Sequence, residues 1–395
     1  MKKHLFYVLI PIALAAVSAV PVEADSRLHQ STFDAAHRLD FILKTVAESN
    51  VPELVGSTRW HDVVRSHRAP VRWSDDADEF RTRVNRMLDD AGISHLSYFG
   101  PTDFSFWHLR GAFPKIRIGD GKVTHVGLFP EYHDGRWFVR GVLEGSPASR
   151  ADVMVGDELL TVDGRAYEPF VRLAGREGKP VRFVLARKKG QIHATTMTPV
   201  RECLFQSVQS SIIRSIRVEA HGDKRFAYVH VWTLLGRGQE YRRLLSMQDQ
   251  VDGLLLDFRD GFGGITRNAM QFLFGTPHHQ WPDNARADQC WMKPVVILTA
   301  DGTRSAKELV VNRVKRHRRA PLLGEPTPGD VSAVDIGRLT PIGHDGLLMM
   351  PIYRFELEGR PTIPDHVVPR VIPYCAGDDP QLRQARDLLA TMISH

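Results

Sequence analysis

A serine hydroxyl becomes a useful nucleophile only where a base can take its proton and where N–H groups can hold the oxyanion that forms. Ser305 has such a setting in the run Gly302-Thr303-Arg304-Ser305-Ala306-Lys307-Glu308. A helix expected from about Ser305 to Arg316 puts this serine at a helix start, where free N–H groups and the positive end of the dipole favour negative charge. By position alone such a serine reads first as an N-cap. The stretch Arg259–Ile265 adds a second feature: Gly261, Gly263 and Gly264 lack a Cβ, so the backbone there can approach a ligand and turn N–H groups toward it. Histidine suits the role of base near neutrality, but the chain holds 18 of them and type alone selects none. Lys307 stands two residues past Ser305; positions i and i+2 do not face each other on a helix, so it is expected to be a solvated lysine.

Both loops follow apolar runs that read as buried strands, Leu254–Phe258 and Val295–Thr299. With a strand at Phe226–Val231, a helical stretch through Phe274, the helix from Ser305 and Leu322-Leu323 running into Gly324, the order is strand–helix–strand–helix–strand. That order implies right-handed crossovers and a mainly parallel sheet. Ligands bind beyond the carboxyl ends of such strands, which is where the two loops lie. From Ser31 to Met87 the spacing is helical: Phe33, His37, Phe41 and Val46, then Phe80, Val84 and Leu88. Ser74, followed by Asp75 and Asp76, reads as an N-cap with acids in the first turn, and Ala91-Gly92 as the end of the region. Between 115 and 200 the texture changes to short strands and turns, with Phe138–Leu143, Glu158–Val162 and Val181–Leu185 as strands.

This middle region resembles a PDZ domain over Val142-Leu143-Glu144-Gly145-Ser146-Pro147-Ala148 and Gly156-Asp157-Glu158-Leu159-Leu160-Thr161-Val162-Asp163-Gly164. The resemblance implies a peptide C-terminus added as a strand beside a carboxylate-binding loop, here Gly127, Leu128 and Phe129 after Val126. The run Leu255-Leu256-Asp257-Phe258-Arg259-Asp260-Gly261-Phe262-Gly263-Gly264 is similar to the "LDLRxNxGG" segment of the S41 serine peptidases, the C-terminal processing and tricorn-type proteases. The segment Gly302–Glu308 resembles their "GSASASE" nucleophile segment, and Gly324-Glu325-Pro326-Thr327 their "GEPT". The Ser/Lys branch carries a lysine shortly after "GEPT"; Asp330 occupies that place here, so the dyad mechanism does not carry over. The tricorn-type branch uses a Ser-His pair ahead of the PDZ and a glutamate before "G-x-x-P-D". Ser94-His95 and Glu358, in Glu358-Gly359-Arg360-Pro361-Thr362-Ile363-Pro364-Asp365, match those positions, with Pro361 where the family has glycine.

The resemblance thus implies an α/β protein with a helical N-terminal region (25–115) carrying Ser94-His95, a PDZ-like β-domain (116–200) and a ClpP/crotonase-like α/β catalytic domain (201–395). Catalysis would rest on Ser305 as nucleophile, His95 as general base and Glu358 as its support, directly or through Ser94. Backbone N–H groups of Gly263, Gly264 and Ala306 would form the oxyanion hole. No cofactor or metal is required, and the partners are polypeptides, recruited through free C-termini. The rival reading, motivated by Asp330 and Pro361, is a peptidase-like protein without activity that binds peptides through the PDZ and the cleft. An α/β-hydrolase esterase is excluded by the lack of a G-x-S-x-G elbow.

Composition supports a globular chain: 43% apolar and 25% charged among 395 residues. Lys2-Lys3, an apolar run from Leu5 to Val17 and small residues at Val17-Ser18-Ala19 and Val22-Glu23-Ala24 form a leader pattern over residues 1–24, implying a periplasmic or secreted protein. No later segment is apolar enough to cross a bilayer. The net charge of +6 comes without a nucleic-acid motif, and Lys315–Arg319 complements a helix C-terminus instead. Cys203, Cys290 and Cys375 have no metal spacing; one disulfide and three free thiols are both open.

Overall fold

The computed structural model describes residues 33–49, 51, 54–113, 116, 119–275, 290–329, 332–333, 338–354 and 359–394; the leader pattern, Asp330 and Glu358 lie outside them. Three helices come first, α1 (Ala35–Ala47), α2 (Thr58–Arg72) and α3 (Ala77–Asp90). In α3 the helically spaced Phe80, Val84, Met87 and Leu88 are fully buried. Its cap is Asp76 rather than Ser74: Asp76 Oδ1 accepts from the N–H groups of Asp78 and Glu79 at 3.0 and 2.8 Å. Ser74 is buried and donates to Val71 O at 2.9 Å, closing the end of α2, so its hydroxyl serves the helix before and not the helix after.

A short strand β1 (Ser97–Phe99), helix α4 (Phe104–Ala112) and strand β2 (Lys122–His125) lead into an antiparallel sheet. Its members are β3 (Leu128–His133), β4 (Arg136–Val142), β5 (Glu158–Val162), β6 (Arg165–Ala166), β7 (Val181–Lys188) and β8 (Gln191–Met197), with the one-turn helix α5 (Pro147–Arg150) between β4 and β5. The order is β3-β4-β5-β7-β8, with β6 on β5, around a core of its own that includes Val139, Phe183 and Leu185. Strand β9 (Val200–Cys203) returns to pair with β2 and closes this module on itself.

Helix α6 (Leu204–Ser215), strands β10 (Arg217–His221), β11 (Lys224–His230) and β12 (Thr233–Leu234), helix α7 (Gln239–Ser246), strands β13 (Gly253–Asp257) and β14 (Phe262–Gly264) and helix α8 (Arg267–Phe274) follow. Then come β15 (Val295–Thr299), α9 (Ala306–Arg316), β16 (Leu322–Gly324), β17 (Ser332–Ala333), β18 (Leu339–Ile342), β19 (Gly346–Met349), β20 (Tyr353–Arg354), β21 (His366–Val367) and α10 (Pro380–Ser394). The main sheet has the order β10-β11-β13-β15-β16-β21, parallel from β11 onward, with β10 antiparallel at one edge. Successive residues of β13 serve opposite faces: Leu254 and Leu256 pack with α6, α8 and α9, and Leu255 packs with Ala385 and Leu389 of α10. Burial on both faces explains why these strands are apolar runs without alternation. Each fully buried Leu, Ile or Val contributes about 1.5–3 kcal/mol over leaving it exposed.

Two smaller pairings frame the carboxyl end of this sheet. Strand β14 runs parallel to β12, and β1 joins β19 and β18 in an antiparallel three-stranded sheet. Residues Ala35–His395 cluster as one unit, and the three cysteines are free thiols. No helix of the described residues is long and apolar enough to cross a membrane.

Candidate active site

Strand β15 ends at Thr299 and α9 begins at Ala306, with six residues between; Ser305 is the last of them. Its backbone sits at φ 59°, ψ −130°, a region L residues rarely occupy, at a cost of about 1–3 kcal/mol. Several bonds impose that geometry. Thr303, fully buried, donates through Oγ1 to Phe258 O at 3.1 Å and accepts from Ala300 N at 2.9 Å. Glu308, in the first turn of α9, accepts from Ser305 N at 3.3 Å through Oε2 and from Gly329 N at 2.6 Å through Oε1. The N–H of Ala306, as the first helical residue, has no partner within the helix.

The glycine loop after β13 presses against this turn. A Cβ placed on Gly263 would lie 2.6 Å from Ser305 Cβ, 2.8 Å from its Oγ and 2.9 Å from Ala306 N. No side chain fits there, so only glycine lets the loop backbone pack this closely on Ser305 and the start of α9. A Cβ on Gly302 would lie 2.7 Å from Asp260 Cα, so the two loops are packed backbone to backbone.

Lys307 overturns its sequence reading. It is fully buried, and its Nζ donates to Asp260 O at 2.6 Å and Phe258 O at 3.3 Å, fastening the glycine loop to the first turn of α9. The expectation of a solvated lysine failed because the acceptors are main-chain carbonyls brought over from another loop. Burial pushes its pKa down to about 7, against the pull of Asp260 and Asp257. On the other side of the loop His108 of α4 stacks on Phe262 with ring centroids 3.6 Å apart and planes 7° apart. Burial pushes its pKa down to about 3, so it is a neutral ring at physiological pH.

His95 arrives from the opposite part of the chain. After α3 the chain turns at Gly92 and at His95 itself, which has φ 61°. Asn85 of α3 holds the next strand in place: its Nδ2 donates to Tyr98 O at 2.7 Å, and Tyr98 N donates to its Oδ1 at 2.8 Å. Ser94 Oγ lies 2.7 Å from His95 Nδ1. His95, Ser305, Gly263, Gly264 and Ala306 all line one cleft of about 660 Å³, together with Arg304, Phe262 and the apolar Leu309, Leu339 and Met349. Phe129 of β3 also lines it. Its ring meets Phe104 edge-on at 4.8 Å and Trp232 at 5.9 Å. Gly127 and Leu128 do not line the cleft: Leu128 is buried in the antiparallel sheet's core, and Gly127 packs so closely on Ser146 that a Cβ would lie 2.2 Å from its Cβ.

Buried charge holds the loops. Asp257 accepts from Arg259 Nε at 2.9 Å and Nη2 at 2.6 Å and from Tyr228 OH at 2.9 Å, and Arg259 continues to Asp379 ahead of α10. Asp260 accepts from Arg140 Nε of β4 at 2.5 Å and from Arg370 Nη1 at 2.6 Å. Burial alone would raise the Asp260 carboxyl; the Arg370 and Arg140 guanidiniums hold it well below the usual carboxylate range. Arg140 also binds Glu131 at 3.1 Å and Asp301 of the Ser305 loop, so one side chain of the antiparallel sheet touches both loops of the cleft. None of Arg140, Arg370, Asp301 or Glu131 carried a sequence signal, since no local pattern marks a side chain that pairs across such chain separations. Among the described residues no cluster of ligating side chains fits a metal ion.

Residues 225–369 match the model of Peptidase family S41. This stretch is similar to that family. It carries both loops of the cleft, while His95 lies outside it, in the chain before the antiparallel sheet. Of curated relatives, carboxyl-terminal-processing peptidase 2, chloroplastic, of Arabidopsis thaliana is 25% identical over 301 residues, 67% of this chain and 57% of that protein. Putative tricorn protease homolog 2 of Streptomyces coelicolor is 24% identical over 307 residues, 69% of this chain and 24% of that protein. The chain thus spans less than two thirds of either relative. Among solved structures, the crystal structure of the tricorn protease superposes with a TM-score of 0.52 at 14% identity, covering 92% of this chain and 37% of that one, which shows the α/β fold.

Proposed function

We propose that the protein is an exported serine peptidase that hydrolyses polypeptides through an acyl-enzyme on Ser305. The observation that carries this reading is the shared cleft: a serine in strained backbone at a helix start, a glycine loop packed directly against it, and a histidine from a distant segment lining the same cleft. In this mechanism His95 takes the Ser305 proton as Oγ attacks the scissile carbonyl, and the oxyanion is held by N–H groups of Ala306 and of Gly263 or Gly264. The C–N bond breaks as His95 returns the proton to the leaving amine. Water then repeats the sequence on the ester and frees Ser305. Glu358 supports the imidazolium directly or through Ser94, whose hydroxyl is already on His95 Nδ1. The tricorn-type assignment follows from Asp330 at the lysine position of the dyad branch.

The antiparallel sheet is read as a PDZ-like module for substrate tails. Strand β3 is an edge of that sheet, and its Phe129, Pro130 and Glu131 line the cleft, so a chain added along this edge would be led toward Ser305. The leader pattern at residues 1–24 supports export.

A fluorophosphonate should label the protein once, on Ser305, and abolish hydrolysis of an unstructured polypeptide in proportion to labelling. Labelling elsewhere with Ser305 unmodified, or hydrolysis that survives full labelling, would overturn the assignment. Gly263→Ala should cost about 10²-fold or more in kcat, because its methyl collides with Ser305 Cβ, Oγ and Ala306 N and pushes the nucleophile and the helix-start N–H out of place. Steady-state kinetics on a variant with an unchanged circular dichroism spectrum checks this.

A further inference from the structure

Beside the cleft lies a second cavity of about 510 Å³, and the two share Leu235 and Ile265 as walls. Thr233, another wall residue, donates through Oγ1 to Gly263 O at 3.2 Å and accepts from Leu235 N at 3.1 Å, so the cavity's wall is bonded to the loop facing Ser305. Ile265, which lines both, is 63% exposed. The cavity's sides are apolar, from Phe205, Ile212 and Ile213.

Two polar side chains of its wall flank Gly236. A Cβ built on Gly236 would lie 3.6 Å from Gln209 Nε2 and 4.0 Å from Glu240 Oε1. Gln209 Nε2 is committed to Leu235 O at 2.8 Å, which leaves its Oε1 as an acceptor. Glu240 is only 7% exposed; among the described residues no lysine, arginine or histidine forms an ion pair with it, and its own backbone N–H supports it. Burial raises its carboxyl pKa, offset only in part by its own backbone N–H and by the charge of Arg242, which forms no ion pair with it. A first-turn acid on a helix is ordinarily exposed and gains a few tenths of a kcal/mol to about 1 kcal/mol from the dipole. Such a gain does not require an acid to be buried in a cavity wall. Arg237 also lines the cavity but is exposed, so its charge stands in solvent at the mouth, where screening weakens it.

We propose that this cavity is a side-chain subsite of the peptide cleft, selecting a lysine or arginine of the substrate. The apolar walls take the methylene stem, and the Glu240 carboxylate with Gln209 Oε1 takes the cationic head. The proposal rests on the reading of the cleft as a peptide site, and its test separates the two.

The test uses a peptide series with lysine, norleucine or glutamate at one position at a time around the cleavage point. Cleavage is measured with the full chain, and binding by fluorescence anisotropy with Ser305→Ala. At one position lysine should exceed norleucine by about tenfold or more, both in kcat/KM and in affinity. Glu240→Gln should bring that ratio close to one, and Glu240→Lys should turn the preference toward glutamate. Each ratio is taken within a single protein, so a general loss of stability cancels. A lysine preference in binding with no turnover by the unmodified chain would support the subsite and sink the peptidase reading. Turnover without a lysine preference at any position, or a preference that survives Glu240→Gln, would overturn the subsite.

Discussion

Ser305→Ala and His95→Ala will each lower kcat for peptide hydrolysis by about 10⁴–10⁶, and the double variant will be no slower than the worse single one. The non-additivity is the informative part. A base without its nucleophile, or a nucleophile without its base, does nothing in this mechanism, so the second deletion removes nothing further. In the proposed mechanism the residual rate comes from the N–H groups of the glycine loop and the α9 start. Alanine keeps the strained backbone at φ 59°, so Ser305→Ala should unfold at nearly the wild-type midpoint and still bind peptide. Ser305→Gly should be equally inactive but more stable by about 1 kcal/mol, since glycine occupies that region without a Cβ penalty. Rapid-mixing kinetics and denaturant titrations on the set decide it. A His95→Ala variant that keeps a tenth of wild-type kcat would place the base elsewhere.

What could be read in the chain without coordinates follows from how local each signal is. The strands at Gly253–Asp257 and Val295–Thr299 are apolar runs because both faces are covered, and each carries its own signature. The loops after them were legible for the same reason: glycines and a helix start are local features, and a parallel sheet collects them at one edge. The three-stranded sheet of β1, β19 and β18 was not legible, because it joins strands of three and four residues across some 250 positions of sequence. Helical spacing said correctly that Lys307 turns away from Ser305, yet it could not say what lies on the other side. The answer is the carbonyls of Phe258 and Asp260, groups every residue possesses. Nothing local marks Asp260 as a buried ion-pair member, because its partners Arg140 and Arg370 stand 120 and 110 positions away. Glu358 was named from resemblance alone.

Asp260→Asn should cost about 3–5 kcal/mol, the range for removing one member of a buried ion pair. Asp260 is 2% exposed, and the side chains of Arg140 and Arg370 that remain would be 15% and 13% exposed, too enclosed for water to replace the lost carboxylate. The same group sets an acid limit on stability. Its folded pKa lies below the ordinary value of about 4, so the folded state binds fewer protons than the unfolded one near that pH. Its stabilisation is therefore complete above about pH 4 and is lost as pH falls from there toward the depressed folded value. Asp257, held down by Arg259 against the same burial penalty, adds to the loss over the same window. Urea midpoints measured from pH 7 to pH 2.5 should fall steeply below about pH 4 in the wild-type chain. In Asp260→Asn the curve should start lower and fall less. Parallel curves for the two proteins would mean that Asp260 does not contribute through its charge. Asp260 also carries the carbonyl that holds Lys307 and lies in backbone contact with Gly302, so acid strong enough to protonate it loosens both loops of the cleft together.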